Sequence, residues 1–394
     1  MSPLLFLTFR EQFGISYSLL GLLVTVNFFT QLIVDLIFSF FSHKFNIQKA
    51  VRFTPILCTI GLLFYSLCPP LLKGHEYYAL LIGTIIFSAS GGFGEVLISP
   101  VIAAIPSKDP DREMSKLHSI YAWGVVGVVL FATVFLSIFS SKYWQILMII
   151  LTLIPMFSAV MFKFSEIPAM QTPEKVSGAL AYLKMPGVWA CVLAIFLGGA
   201  AECTMAQWCS GYIEGSLGID KVFGDIFGVA LFAVMLGLGR TLYSKIGKNI
   251  APVLFFGALG AVICYIVAAV SPFAIVGLFA CALTGLCVSM LWPGSLIVAS
   301  DKFPTGGVFI FAMMAAGGDL GASVGPQLVG IVTDFATINP FLIELAQKLS
   351  ILPDQLGMKL GMLVGMLFPL AALPLYFYIW KKHYNKKQPT QILI

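Results

Sequence analysis

Charged residues are scarce in this chain of 394 residues. Asp, Glu, Lys and Arg together supply 10% of the sequence, whereas hydrophobic residues supply 59%. A soluble domain typically has about 25% charged and about 45–50% apolar residues. A water-soluble fold of this length cannot bury so much apolar surface, so the composition excludes a soluble enzyme. With a mean hydropathy of +0.96, the chain is predicted to be an all-α, polytopic membrane protein.

Motifs of catalytic and metal sites are also missing. The sequence has no HExxH and no GxxxxGK[ST] motif, and its eight cysteines include no CxxC pair. These absences argue against a membrane-embedded enzyme, a pump driven by ATP and a disulfide framework. We therefore expect no cofactor and no resident metal. A non-transporting membrane sensor stays open as an alternative.

Apolar stretches recur along the chain, and about 20 such residues cross a bilayer as a helix. Eleven stretches reach that length, at residues 17–41, 51–72, 77–105, 117–140, 143–163, 186–212, 223–244, 251–270, 273–300, 306–333 and 357–380. Residues 1–9 are apolar but too short to cross. Residues 334–356 are expected to form an outer loop that contains a short amphipathic helix.

The positive charges predict the orientation, because Lys and Arg are concentrated in cytoplasmic loops. A cytoplasmic C-terminus places most of the 23 Lys and Arg residues inside. We therefore expect a multi-pass, monomeric protein of the plasma (inner) membrane. The net charge of +5 does not indicate a nucleic-acid partner, since the basic residues lie in short loops between apolar runs. The expected partners are the lipid bilayer, a small-molecule substrate and protons.

A weak internal repeat is present. Residues 14–23 resemble residues 218–228, and residues 42–51 resemble residues 244–253. Many transporters are built from such parallel repeats of several helices. The predicted organisation is an N-terminal helix bundle at 1–163, a cytoplasmic linker at 164–185, a C-terminal helix bundle at 186–381 and a cytoplasmic tail at 382–394.

The repeat also bears on the first helix. The offset places the partner of the helix at 186–212 mostly before Met1, so residues 1–9 correspond to its end. We expect the sequence to lack most of a first transmembrane helix. A genuine form with eleven helices is the alternative.

Two six-helix halves joined by a linker resemble the major facilitator superfamily. Asp35 and the following residues 42–49 lie where that superfamily has its G-x-x-x-D-(R/K)-x-G-(R/K) loop, and residues 239–248 lie at the equivalent place in the second half. The resemblance implies a fold of two six-helix bundles, here with eleven complete spans plus a stub of the first. It also implies a secondary transporter that works by alternating access.

A sharper match covers the third and fourth complete spans. The run Glu95-Val-Leu-Ile-Ser-Pro100, followed by residues 117–124 (LHSIYAWG), resembles the fucose permease branch of sugar–proton symporters. That branch has Glu-x4-Pro in its fourth helix and Leu-x-Gln-x4-Phe-Gly at the start of its fifth, where this chain has His118 in place of Gln. The resemblance implies import of a sugar or sugar derivative with a proton. An efflux antiporter for amphipathic compounds is the alternative with the same fold.

Ionisable side chains within apolar spans are costly, by about 2.5–3.5 kcal/mol at a helix centre, and are therefore candidate functional residues. Glu95 and Glu202 are predicted to be proton-coupling residues; the alternative for Glu95 is a buried acid that only stabilises the fold. Asp35 and Arg240 lie at equivalent helix ends and are predicted to pair as a gate at the cytoplasmic side.

Amide, carboxylate, imidazole and aromatic groups suit a polyhydroxylated ligand, because the polar groups bond hydroxyls and the rings stack on C–H faces. The substrate-binding candidates are Asn27, His118, Tyr121, Trp123, Gln207, Trp208, Trp292 and Asp319. For the aromatic residues the alternative is packing between helices. Asp319, Ser323 and Gln327 recur every four residues and share one helical face, which either lines the pathway or locks the helix to its neighbours.

Overall fold

The structure, a computed structural model, describes residues 2–41, 44–106, 110–168, 182–247, 249–303 and 307–384. Every regular element in these ranges is helical, as the composition predicted. The helices are α1 Ser2–Phe13, α2 Tyr17–Phe41, α3 Ile47–Leu71, α4 Glu76–Ala104, α5 Pro110–Phe139, α6 Trp144–Phe164, α7 Pro186–Gly215, α8 (Lys221–Gly224, a π-helical turn Asp225–Ala230 and Leu231–Ile246), α9 Ile250–Val270, α10 (Ala274–Val288 and Leu291–Lys302), α11 Gly307–Ile338 and α12 Pro353–Tyr384.

The helices that the structure describes account for nine or ten of the eleven predicted spans. Within the described ranges nine helical spans are long and apolar enough, and a tenth is obtained if α11 and the helix Pro340–Lys348, which meet at 83°, count as one span. In the described part of α5 the apolar segment is Trp123–Phe139. The amphipathic helix predicted in the outer loop is present as Pro340–Lys348.

The internal repeat has a counterpart in the backbone. Gly14, between α1 and α2, and Gly218, between α7 and α8, both have a φ of 65°, a conformation that L side chains rarely adopt. Asn46 caps the first turn of α3, and Asn249 caps the first turn of α9 in the same way. The sequence similarity therefore reflects two structurally equivalent helix connections.

The side chains of the short helix α1 are buried against other helices of the fold. Leu4, Leu5, Phe6 and Phe9 are at most 1% exposed, and the ring of Phe6 lies 5.2 Å from that of Trp208 on α7. Twelve residues of helix extend about 18 Å, which is shorter than the hydrocarbon core of about 30 Å. As predicted, this segment is too short to cross.

Glycines bring α11 against α7. Gly317, Gly321 and Gly325 recur every four residues on one face of α11. A Cβ at Gly321 would overlap the carbonyl oxygen of Phe196, and a Cβ at Gly325 would lie 2.8 Å from the carbonyl oxygen of Ala200. Small residues at this spacing let two membrane helices pack backbone to backbone.

Polar side chains bind α11 to α2. Thr25 Oγ1 donates to the carbonyl oxygen of Ser323 at 3.1 Å and lies 3.2 Å from Gln327 Oε1, while Gln327 Nε2 donates to the carbonyl oxygen of Ser18 at 3.3 Å. Of the two interpretations of the polar face of α11, Ser323 and Gln327 thus fit the locking role. We call the contact of α2 with α11 the α2–α11 seam.

The packing of α7 on α11 gives a first prediction. Gly321→Ala should lower the free energy of unfolding by about 1–3 kcal/mol, because the added methyl meets backbone that cannot move aside. Thermal unfolding of the purified protein in detergent measures this effect. Gly124→Ala is the matched control, since a Cβ there meets no atom within 4 Å. An equal loss in both variants would contradict the packing argument.

Candidate functional site

Three carboxyl groups from three helices meet inside the molecule. Asp35 on α2, Glu95 on α4 and Asp319 on α11 each place a carboxylate oxygen within 4.8 Å of the other two. Asp35 is 1% exposed and Asp319 is 2% exposed, whereas Glu95 is exposed. The sequence predicted separate roles for these residues, in a gate, in substrate binding and in proton coupling. The structure assembles them into one cluster, which we call the carboxyl cluster.

Glycines allow the cluster to form. A Cβ at Gly92 on α4 would lie 2.9 Å from Cβ of Val34, and a Cβ at Gly91 would lie 3.3 Å from the amide group of Gln31. The backbone of α4 therefore approaches α2 one turn before Glu95. Asn27, a predicted substrate-binding residue, accepts a hydrogen bond of 2.6 Å from Ser88 on α4 and supports the same contact.

The cluster cannot carry three negative charges at low cost. Two ionised carboxylates 4.8 Å apart repel each other by about 3–4 kcal/mol at an effective permittivity of about 20. Carboxylate oxygens of Asp35 and Asp319 lie within 4.8 Å of each other, and a proton on either group would remove the repulsion between them. The arrangement is therefore suited to hold protons.

A second charged group links α7, α8 and α10. One guanidinium nitrogen of Arg240 lies 3.1 and 3.2 Å from the two carboxylate oxygens of Glu202, and Nε donates to the carbonyl oxygen of Ser289 at 3.1 Å. Pro293 has no N–H for the carbonyl four residues earlier, so the break in α10 frees that oxygen of Ser289. Arg240 was predicted to pair with Asp35, but in the structure it forms an ion pair with Glu202.

Tyr121 lies near both charged groups. Tyr121 on α5 is 66% exposed, and its hydroxyl is within electrostatic reach of Glu95, Glu202 and Arg240. A Cβ at Gly94 or at Gly124 would meet no atom within 4 Å. An accessible carboxyl, a phenol and an ion pair thus lie near one another, and the backbone is uncovered at Gly94 and Gly124.

Cys203 joins this site although the sequence analysis did not select it. Its thiol, next to Glu202 on α7, is within electrostatic reach of Glu95, Asp319 and Arg240. A single cysteine in an apolar helix gives no signal of its own, so only its position beside Glu202 could have identified it.

The predicted aromatic residues are dispersed. Trp123 is 61% exposed and, two residues after Tyr121, lies about 200° further around α5, on the other face. Trp208 is 1% exposed, and its indole N–H donates to the carbonyl oxygen of Pro326 at 2.8 Å. The surroundings of Trp208 fit packing between α7 and α11.

Trp292 occupies a gap between two glycines. A Cβ at Gly199 would lie 2.9 Å from its ring, and a Cβ at Gly318 would overlap it. Gln207 is partly buried on α7. The side chain of His118 lies outside the described residues.

A further contact between α2 and α11 lies at the end of the seam predicted to face outwards. The carboxylate of Asp334 accepts hydrogen bonds from the backbone N–H groups of Tyr17 at 3.1 Å and Ser18 at 2.6 Å, at the start of α2. Arg10 lies 4.1 Å above the Tyr17 ring, whose hydroxyl donates to Asp354 at 3.5 Å. The sequence analysis missed Asp334 because the apolar stretch ends at residue 333, whereas α11 continues to Ile338.

A shallow groove of about 330 Å³ lies elsewhere, between α9 and α10. Pro252, Phe256, Leu286 and Met290 form much of its wall, and none of the predicted site residues lines it. The candidate site is therefore the region of the carboxyl cluster and the Glu202–Arg240 pair.

Comparison with known families decides the identity of the fold. A family model described as Major Facilitator Superfamily matches residues 1–326. The chain belongs to the major facilitator superfamily. It is a multi-pass membrane transporter rather than an enzyme. None of the curated proteins with which it was compared matches it.

Solved structures of this superfamily have the same fold. A bacterial homologue of the human lysosomal transporter Spinster, inward-facing and unoccupied, has a TM-score of 0.73 at 14% identity, over 98% of this chain and 94% of that one. A D-xylose–proton symporter has a TM-score of 0.70 at 16% identity, over 96% and 92%. The Escherichia coli fucose:proton symporter has a TM-score of 0.58 at 18% identity, over 94% and 93%.

The Glu202–Arg240 pair gives a second prediction for this transporter. Glu202→Gln leaves the Arg240 charge without its partner and should lower the free energy of unfolding by about 1–3 kcal/mol, less than for a fully buried pair because both side chains are partly exposed. Thermal unfolding of Glu202→Gln, Arg240→Gln and the double variant measures the coupling. The double variant should lose less than the sum of the single losses; strict additivity would show that the pair contributes nothing.

The Asp334 contact gives a third prediction. Asp334→Ala removes the acceptor for two N–H groups at the start of α2 and should cost about 1–2 kcal/mol of stability. Asp334→Asn keeps one acceptor oxygen and should cost less. The same unfolding assay compares the two variants, and an Asn variant as unstable as the Ala variant would rule out capping as the role of Asp334.

Proposed function

We propose that this member of the superfamily is a secondary transporter that moves a small polar solute, a sugar or a sugar derivative, and that its transport is coupled to protons. The observation that carries the proposal is the placement of Glu95, an exposed carboxyl beside two buried ones. Such a group can exchange a proton with water while its charge is felt by the buried pair.

The chemistry of Glu95 supports a coupling role. Protonated, its hydroxyl can donate a hydrogen bond to a sugar hydroxyl; ionised, it can only accept. Loss of the proton also places a negative charge on Glu95, beside Asp35 and Asp319, and this raises the electrostatic energy of the cluster. Solute binding and protonation at Glu95 would therefore favour each other.

The solute would lie between the carboxyl cluster and the Glu202–Arg240 pair. Tyr121 offers a hydroxyl and a ring face, and the ion pair offers donors and acceptors that a polyol could bridge. We assign Glu202 to this ion pair and retain Asp35 as a gating residue through its contact with Asp319. The sugar class is supported by the Glu95–Pro100 motif and by two structural neighbours described as a D-xylose–proton and a fucose:proton symporter.

The contacts between the two repeats support a state closed at the end predicted to face outwards. Asp334 caps α2 there, and Phe6 on α1 packs against Trp208 on α7. The higher TM-score of 0.73 with an inward-facing transporter, against 0.58 with a fucose symporter in the outward conformation, supports the same assignment. We propose that the structure is the inward-facing state.

The function is tested in proteoliposomes with Glu95→Gln, which fixes this side chain in a neutral form. Counterflow of labelled monosaccharides, beginning with L-fucose and D-xylose, should persist, because the amide still bonds hydroxyls. Accumulation driven by a proton gradient should fall at least tenfold, because Gln cannot exchange a proton.

Glu344→Gln, on the exposed helix Pro340–Lys348, is the control and should accumulate the sugar like the parent protein. Accumulation that persists in Glu95→Gln would place proton coupling at another residue. Failure of the parent protein to exchange any monosaccharide would contradict the sugar class.

A further inference from the structure

The groove between α9 and α10 opens onto the apolar outer surface of the molecule. Phe256 lines the groove and is exposed, and Ile263, two turns further along the same face of α9, is exposed as well. On α10, the exposed residues Phe279 and Leu283 share a face with Leu286 of the groove wall. In a bilayer, exposed apolar side chains of this kind contact lipid chains. The groove therefore lies at the boundary between protein and lipid.

The break in α10 accounts for the groove. Beyond the break, Gly294 packs against α9, since a Cβ there would lie 2.8 Å from the side chain of Ile250 and 2.9 Å from that of Leu254. Pro252 and Phe256 each follow one of these residues by two positions, which places them about 200° further around α9. The last part of α10 thus covers one side of α9 and leaves the side with Pro252 and Phe256 open.

An aromatic group lies beside the groove, near the end predicted to be cytoplasmic. The ring centroid of Trp380 on α12 lies 5.7 Å from those of Phe255 and Phe256. Next to Trp380, Lys381 Nζ lies 5.3 Å above the ring of Phe377. Tryptophan is enriched at the level of the lipid headgroups, and lysine side chains extend towards that level. Trp380 and Lys381 therefore mark the headgroup level beside the groove.

Positive charge is concentrated at the same end. Lys381 and Lys382 lie near the end of α12, and Lys386 and Lys387 follow in the sequence, where residues 382–394 contain no Asp or Glu. Lys245 is exposed in the last turn of α8, shortly before α9 begins. Four or more basic residues directly beside the cytoplasmic end of a membrane span attract anionic lipid headgroups.

We propose that the groove between α9 and α10 binds one anionic phospholipid of the cytoplasmic leaflet, with an acyl chain in the groove and the headgroup phosphate at Lys381. The apolar wall fits a hydrocarbon chain, which needs no hydrogen bonds. The lysines at the end of the groove favour phosphatidylglycerol over phosphatidylcholine, because the choline cation cancels the charge of the phosphate.

The proposed lipid lies next to a segment of the candidate site. Ser289 lines the groove, and its carbonyl oxygen accepts the hydrogen bond of 3.1 Å from Arg240 Nε. A chain in the groove would therefore contact the break in α10 that holds Arg240. The inference does not depend on the proposed function, because binding of the lipid requires neither a sugar nor a proton gradient.

Native mass spectrometry of the full chain tests the proposal. The purified protein in detergent is mixed with equal amounts of phosphatidylglycerol and phosphatidylcholine that have the same acyl chains, and the lipids retained on the protein are distinguished by mass. The parent protein should retain one phosphatidylglycerol in preference to phosphatidylcholine, by about fivefold for each lysine that contacts the headgroup.

Substitutions separate the chain contact from the headgroup contact. Leu286→Trp and Met290→Trp fill the groove and should lower the retention of both lipids. Ile275→Trp is the matched control, since Ile275 is exposed at the other end of α10, and this variant should retain lipid like the parent protein.

The double variant Lys381→Gln, Lys245→Gln should lose the preference for phosphatidylglycerol and still retain phosphatidylcholine. Both lysines are exposed, so this variant keeps the test decisive even where a tryptophan in the groove prevents folding. Lys348→Gln, on the exposed helix Pro340–Lys348, is its control and should keep the preference.

Three results would overturn the proposal. Equal retention of the two lipids by the parent protein, or a preference that is unchanged in the double lysine variant, would show that the headgroup is not recognised. Equal loss of lipid in Ile275→Trp and Leu286→Trp would show that lipid is held anywhere on the outer surface. A dimer that Leu286→Trp dissociates would assign the groove to a second copy of the chain.

Discussion

The cost of negative charge in an apolar interior is the constraint on which this structure depends. Asp35 and Asp319 lie almost without solvent contact, on helices from opposite halves of the chain, and Glu95 adds a third carboxyl within 4.8 Å. Water does not reach the two aspartates, so negative charge on them is costly, whereas Glu95 is open to solvent. The same constraint acts where α2, α4 and α11 pack around the cluster.

The rest of the site depends on close helix packing at glycines and on the Glu202–Arg240 ion pair. Glycines at 91 and 92 bring α4 close to α2, and the glycine face of α11 brings it close to α7, so polar groups from several helices come close together. Arg240 is held apart from the carboxyl cluster by Glu202 and by the Ser289 carbonyl that Pro293 frees. Solute binding and protonation can therefore involve groups that are adjacent but chemically distinct.

The sequence predicted the helices, the short first helix, the internal repeat and the amphipathic helix at Pro340–Lys348, because hydropathy and chain breakers act locally. It also selected Glu95, Glu202, Asp35 and Asp319, since acids in apolar spans are unusual. It could not predict which acids meet, because helix rotation and tilt depend on packing: Arg240 pairs with Glu202, and a carboxylate oxygen of Asp35 lies within 4.8 Å of Glu95 and Asp319. Trp208 looked suited to a ligand, but its indole N–H bonds the Pro326 carbonyl, which only the position of α11 reveals.

The central claim is that the carboxyl cluster holds protons, and infrared difference spectroscopy of the full chain in lipid tests it most directly. A protonated carboxyl has a C=O stretching band that carboxylate lacks, so the pH 5 minus pH 8 difference spectrum should contain this band. Asp35→Asn, Asp319→Asn and Glu95→Gln should each change it, whereas Glu344→Gln should leave it as in the parent protein. A spectrum without a protonated-carboxyl band, or a band that none of the three cluster substitutions alters, would contradict the account.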